Sequence, residues 1–282
     1  MDNIRQALER ARAVSPGDAG QKSRAASNPP RPQVGADSGI GGSVNAPSQE
    51  IALDAKHLES KRIIAHDDTD PRSKPFDMLR TQVLQSMDQK KWKIVGVTSP
   101  TPGCGKTVTA VNLALSIARQ PERSVFLVDL DLQKPNVASC MGLACESGVV
   151  SVLEGRTSLS SAIIQARVGQ YRLLTLPTES STSNSSTWMA SRAMSTMLQE
   201  IQKDYQSHII IVDLPPMLSS DDVLAVLPQL DCVLLVAAVG KSKVAEIDEC
   251  NRHLASMPVV RFVLNKVPKL NAQYYSPYGS RS

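Results

Sequence analysis

The residues with the clearest chemical purpose are Ser99-Pro100-Thr101-Pro102-Gly103-Cys104-Gly105-Lys106-Thr107, set between a strand-like apolar run and a helix-like one. Glycines at 103 and 105 let backbone N–H groups approach a polyphosphate, and the positive end of the following helix adds to the attraction. Lys106 is then placed to meet the β- and γ-phosphates and the Thr107 hydroxyl to ligate Mg²⁺, with Gly103, Cys104, Gly105 and Val108 completing the cradle. The pattern GxxxxGK[ST] is met only from Gly105 onward, because Pro100 holds its first glycine position. Two further runs, Val125-Phe126-Leu127-Val128-Asp129-Leu130-Asp131 and Ile209-Ile210-Ile211-Val212-Asp213, end in acid. Ligands of parallel sheets bind at the C-terminal strand ends, so Asp129, Asp131 and Asp213 are expected to converge on the glycine loop. One carboxylate there can hold a metal, and another can accept a proton from an attacking hydroxyl.

The elements that must position these residues are legible as alternating patterns from Lys93 onward. Ile94–Thr98, Ser124–Leu130, Tyr171–Leu176, His208–Val212, Cys232–Val239 and Val259–Leu264 read as apolar strands, while Thr107–Arg119, Ser191–Lys203 and Val244–Ala255 have helical period. Strands with helical crossovers predict an α/β fold: a doubly wound, mainly parallel sheet flanked by helices. Residues 50–267 are assigned to this domain. Before it, residues 1–14 read as a short amphipathic helix with Ile4, Ala7, Leu8, Ala11 and Val14 on one face, either a frayed terminus or a docking peptide. Residues 15–49 read as a disordered tether, since 17 of the 34 residues from Ser15 to Ser48 are Pro, Gly or Ser. Residues 268–282 read as a flexible tail.

Bulk properties narrow the partners. The 282 residues carry 31 Lys plus Arg against 27 Asp plus Glu, a net charge of +4 that argues for no nucleic-acid partner. The longest strongly apolar run, Cys232–Val239, is far short of the ~20 residues of a membrane span, and the first residues lack the apolar core of a secretory signal. A cytoplasmic location is expected. Five cysteines without a paired CxxC unit point to reduced thiols rather than disulfides or structural zinc.

From about Pro71 to Tyr278 the chain resembles the bacterial tyrosine kinases of exopolysaccharide and capsule biosynthesis, which share a deviant P-loop class with partition and division-site ATPases. Thr98–Thr107 looks like their Walker A segment, Val125–Pro135 like their acid-bearing Walker A′ strand, and Asp213-Leu214-Pro215-Pro216 like the end of their Walker B. The resemblance implies an ATP- and Mg²⁺-dependent tyrosine autokinase in which Lys106, Asp129 and Asp131 are catalytic, Asp131 being the base. Thr107, Asp129 and Asp213 are then the metal set, and Asn265, ending the last strand, borders the nucleotide. Partition ATPases carry a signature lysine where this chain has Thr101; the kinases carry a C-terminal tyrosine cluster, matched here by Tyr274, Tyr275 and Tyr278 among only five tyrosines. These three are the expected autophosphorylation sites. The resemblance further implies a homo-oligomer recruited to the inner membrane face by a membrane-embedded chain-length determinant or co-polymerase. The family's oligomerisation helix, with a Glu and two Arg at three-residue spacing, has Lys74, Asp77 and Arg80 here. The alternatives are a spatial-regulator ATPase, or a nucleotide-gated adaptor without kinase activity. Lys241 and Lys243, beyond another strand, read as solvent charges or partner contacts.

Overall fold

The computed structural model describes residues 49–268. The predicted leading helix, all of the tether but Gln49, and the three C-terminal tyrosines lie outside them. Eight strands form one sheet in the order β1-β4-β5-β3-β6-β2-β7-β8: β1 Gln49–Ala52, β2 Ile94–Thr98, β3 Ser124–Asp129, β4 Ile164–Val168, β5 Tyr171–Leu176, β6 His208–Asp213, β7 Cys232–Ala238 and β8 Val259–Asn265. Only β4 and β5 pair antiparallel; the other neighbours are parallel. The expected doubly wound α/β sheet is present, with all six predicted strands in it. β1 and β4 were not predicted. β1 takes up the last residue assigned to the tether and is only four residues long, too short for periodicity to register. β4, Ile164-Gln165-Ala166-Arg167-Val168, buries every second side chain, an alternation that spans only five residues, three of them apolar.

The central strands are continuous apolar runs because both faces are covered. On β3, Val125 and Leu127 join one core cluster, whereas Phe126 and Val128 join the other. The longer helices are α1 Lys74–Lys90, α2 Lys106–Ala118, α3 Arg192–Asp204 and α4 Val244–His253. Helix α3 starts where Ser191 Oγ accepts the Met194 N–H at 3.1 Å and buries Met194, Met197, Leu198 and Ile201 as a single stripe. Among the described residues no helix is long and apolar enough to cross a membrane.

The helical period of Thr107–Arg119 alone puts Val111, Leu115 and Ala118 on an inner face, but helix α2 is not so one-sided. It is buried nearly all round, since α1 and the segment near Ile63 and Ala65 pack over its outer side. The polar residues there are satisfied within the chain. Asn112 Oδ1 accepts the N–H groups of Ile64 and Ala65 at 2.8 and 2.9 Å, and its Nδ2 donates to the carbonyls of Arg62 and Val108. Ser116 Oγ donates to Asp77 Oδ1, which also accepts Arg80 and Arg119, each at 3.0 Å. Two of the three charged residues that the resemblance assigns to oligomerisation, Asp77 and Arg80, are thus engaged within this chain, while Lys74 is exposed.

Asn112→Ala would orphan two backbone N–H groups in a dry interface. It is expected to cost about 3 kcal/mol in urea unfolding; a loss under 1 kcal/mol would show that α2 does not depend on this clamp.

Candidate active site

The glycine loop joins the C-terminal end of β2 to α2. It is held from beneath by the segment after β6: Thr98 Oγ1 donates to the Pro215 carbonyl at 2.7 Å, Met217 N–H to Ser99 O at 2.8 Å, and Leu218 N–H to Pro100 O at 3.1 Å. Gly103 (φ +78°) and Gly105 (φ +93°) are left-handed, and Gly105 caps α2. Gly105 is doubly required, because a Cβ there would lie 2.2 Å from Asn265 Nδ2. Pro100 needs no such freedom: it is outside the left-handed positions, and its carbonyl is already bonded to Leu218.

The sheet brings the predicted charges together. Asp129 and Asp213 are register partners on β3 and β6, and Val97 of β2 faces Asp213 from the other side. Lys106 Nζ lies 2.7 Å from Asp131 Oδ2 and 3.6 Å from Asp213 Oδ1. Thr107 Oγ1 donates to Asp213 Oδ2 at 2.6 Å. Asp129 is oriented differently from its two companions: Oδ1 accepts the Asp131 N–H, and Oδ2 accepts those of Asn136 and Val137. Asp131 Oδ1 in turn accepts the Lys134 N–H. These bonds shape the turn that carries Asp131 to Lys106.

All four groups are buried, and for Lys106, Asp129 and Asp213 that burial and the neighbouring charges move the pKa. Burial lowers the pKa of Lys106, but Asp213, Asp131 and Asp129 outweigh it and hold the ammonium above its ordinary value. Burial pushes Asp129 up to about 7, with Asp213 adding to the rise and the Val137 N–H, Lys106 and the Asp131 N–H opposing it. Burial raises Asp213 as well, only partly offset by Lys106 and Thr107. Two carboxylates facing each other across adjacent strands resist ionising together.

A cavity of about 620 Å³ opens over this cluster, lined by Gly103, Gly105, Lys106, Thr107, Val108 and Asp131 together with Asn136, Ser219 and Ser220. The last three escaped the sequence reading, because Asn and Ser in loops are ordinary turn formers and only the fold brings them here. Asn265 closes the loop from β8, its Nδ2 donating to Cys104 O at 2.9 Å. Cys104 is fully buried, with its sulfur 3.4 Å from Ser242 Oγ. The five thiols are free, as expected. For a hard cation such as Mg²⁺ the donors present fit: Thr107 offers a hydroxyl, and Asp213 Oδ1 is a buried oxygen with no hydrogen-bond partner. Among the described residues no three His, Cys, Asp or Glu side chains form a metal cage, so phosphates and water would have to supply the remaining ligands.

A glycine loop capping a helix at the C-terminal edge of a parallel sheet, opposed by acids from two other strands, defines a P-loop nucleotide-binding protein. Residues 92–241, just over half of the chain, match the AAA domain family, and the chain belongs to that family. It is similar to the "Putative tyrosine-protein kinase CapB" of Staphylococcus aureus, 29% identical over 213 residues that cover 73% of this chain and 90% of that protein. It is also similar to "Tyrosine-protein kinase ptk" of Acinetobacter johnsonii, 25% identical over 70% of this chain but only 26% of that longer protein. Among solved structures, the kinase domain of Escherichia coli tyrosine kinase ETK superposes with a TM-score of 0.66 at 26% identity, covering 77% of this chain and 84% of that one. The expected likeness to bacterial tyrosine kinases therefore holds in both sequence and fold.

The raised pKa of Asp129 fixes the sign of a pH effect. Its contribution to stability is fully present below the ordinary aspartate value of 3.8 and is lost as pH rises through about 7. The melting temperature of the nucleotide-free protein should accordingly fall between pH 5 and pH 8, and Asp129→Asn should flatten that slope. An equal slope in the variant would assign the titration to another group.

Proposed function

We propose that this protein is an ATP- and Mg²⁺-dependent tyrosine autokinase that regulates the polymerisation or export of an exopolysaccharide or capsular polysaccharide. The observation that carries the reading is the buried cluster of Lys106, Thr107, Asp131 and Asp213 beneath the glycine loop, in a chain whose curated relatives are named as tyrosine kinases. Gly103–Val108 would cradle the triphosphate, with Asn265 at its border. Thr107 and Asp213, with Asp129 acting through water, would hold Mg²⁺, which supplies charge neutralisation on the phosphates when bound.

The ion pair between Lys106 and Asp131 suggests how the site is switched on. An arriving polyphosphate competes for the Lys106 ammonium, and Asp131 loses its partner. The freed carboxylate then accepts the phenolic proton as the tyrosine oxygen bonds to the γ-phosphorus and the bond to the β-phosphate oxygen breaks, leaving phosphotyrosine and ADP. Tyrosine has an ordinary pKa of about 10, so a placed base contributes at neutral pH. The substrates are Tyr274, Tyr275 and Tyr278. Tyr274 lies nine positions beyond Asn265, so an extended tail would reach about 30 Å, enough to serve a neighbouring copy in a homo-oligomer. A membrane-embedded chain-length determinant or co-polymerase would recruit the cytoplasmic protein to the inner membrane face; nucleic acid has no part in this reading.

The test is incubation of the purified chain with ATP and Mg²⁺, with and without its membrane partner, followed by mass spectrometry. Phosphate is expected on Tyr274, Tyr275 or Tyr278, absent in Lys106→Met and reduced at least ~100-fold in rate by Asp131→Asn. Bound ATP with unmodified tyrosines under both conditions would leave the adaptor reading in its place.

A further inference from the structure

After β7 the chain turns through Val239-Gly240-Lys241-Ser242 before α4 begins. The turn is tightly made. Gly240 is left-handed at φ +72°, the N–H groups of Lys241 and Ser242 both donate to Ala238 O, and Ser242 Oγ accepts the Ala238 N–H at 3.0 Å. It is also fixed to the nucleotide loop on two sides. Ser242 Oγ contacts Cys104 Sγ at 3.4 Å, while Val239 N–H donates to the carbonyl of Asn265, whose side chain bonds Cys104 O.

This places the Lys241 side chain along Gly103. A Cβ built on Gly103 would stand 2.6 Å from Lys241 Nζ and 3.3 Å from its Cε, so the ammonium occupies the space that the missing side chain leaves. Lys241 is exposed, and among the described residues its ammonium has no ion pair or hydrogen-bond partner. Lys106, by contrast, is held by Asp131 and Asp213. Among the described residues the cations available here without breaking an existing pair are therefore Lys134, in the cavity wall, and Lys241, which alone of the two lies against Gly103. A triphosphate brings about four negative charges into this cradle, and an ammonium on a flexible four-carbon stem is suited to follow them.

We propose that Lys241 is a nucleotide-binding residue, a second cation that meets the polyphosphate cradled by Gly103–Thr107. This rests on the nucleotide-binding part of the function proposed above, though not on tyrosine transfer. Sequence position alone gave no hint of it, since Lys241 lies 135 residues beyond Lys106 and looks like any surface lysine.

The test is equilibrium binding of a fluorescent ADP analogue to the full chain, titrated at low and high salt with Mg²⁺ present, so that no turnover is needed. Lys241→Ala should weaken binding about tenfold and flatten its salt dependence. Lys241→Arg should restore most of the affinity, and Lys243→Ala, two residues on, should behave as wild type. The melting temperature without nucleotide should not change in any of the three. Wild-type affinity and salt slope in Lys241→Ala would overturn the proposal while leaving the nucleotide site intact. Loss of affinity accompanied by a lower nucleotide-free melting temperature would also overturn it, by assigning Lys241 to packing. Failure of the wild-type chain itself to bind nucleotide would instead overturn the functional reading on which the proposal stands.

Discussion

A lysine and three aspartates share the buried carboxyl edge of the sheet, and their charge balance constrains everything around them. An isolated ammonium or carboxylate in a dry site is prohibitive, so each group must be paired, hydrogen-bonded or protonated. Lys106 answers with two carboxylates, Asp213 with Lys106 and the Thr107 hydroxyl, and Asp129 with three backbone N–H groups. The strand order follows the same demand. Placing β6 between β3 and β2 sets Asp213 beside both Asp129 and the start of the glycine loop. One carboxylate oxygen, Asp213 Oδ1, remains without a hydrogen bond. Lys106 Nζ stands 3.6 Å from it, beyond hydrogen-bond distance, and a closer cation would satisfy it.

Much of this was legible in the sequence because chemistry and periodicity pointed the same way. An apolar run ending in acid has one natural place in a parallel sheet, and two such runs beside a glycine loop fix the site within a residue or two. What escaped is equally physical. β1 is too short to show a period, and β4, five residues with three apolar ones, is little longer. Helix α2 was read with Val111, Leu115 and Ala118 as its inner face, yet Asn112 and Ser116 are buried too, Asn112 bonded to distant backbone and Ser116 to the side chains of Asp77 and Arg80. Polarity predicts exposure only when no partner waits inside. Lys241 shows the converse: an exposed residue whose role depends on a turn packing against a loop far away in sequence.

The charges of α1 illustrate how a familiar pattern can be redirected. The resemblance assigns Lys74, Asp77 and Arg80 to contacts between copies. Here Asp77 accepts Arg80, Arg119 and Ser116, and Arg80 also donates to the Ser116 carbonyl, so the cluster ties α1 to α2. A neighbour seeking these groups would have to replace bonds already made in a half-buried setting, where the gain over the existing pairs is small. Lys74, left exposed, is the member of the three that stays available. An assembly of this chain would therefore draw less on that helix than the pattern suggests.

The resting ion pair also bears on specificity of timing. While Asp131 holds Lys106, the lysine of the glycine loop and the carboxylate proposed as base are engaged with each other. In the proposed mechanism a polyphosphate would release both at once, because the bond it makes to Lys106 is the bond Asp131 gives up. An anion too small to span from the glycine loop to Lys106 would not make that exchange worthwhile, since breaking a buried pair costs several kcal/mol unless a new partner of equal charge arrives. Under the proposed mechanism the activating event would thus be tied to the length and charge of the nucleotide's phosphate chain, and a base exposed only after that chain is bound could not act on a tyrosine that arrives first.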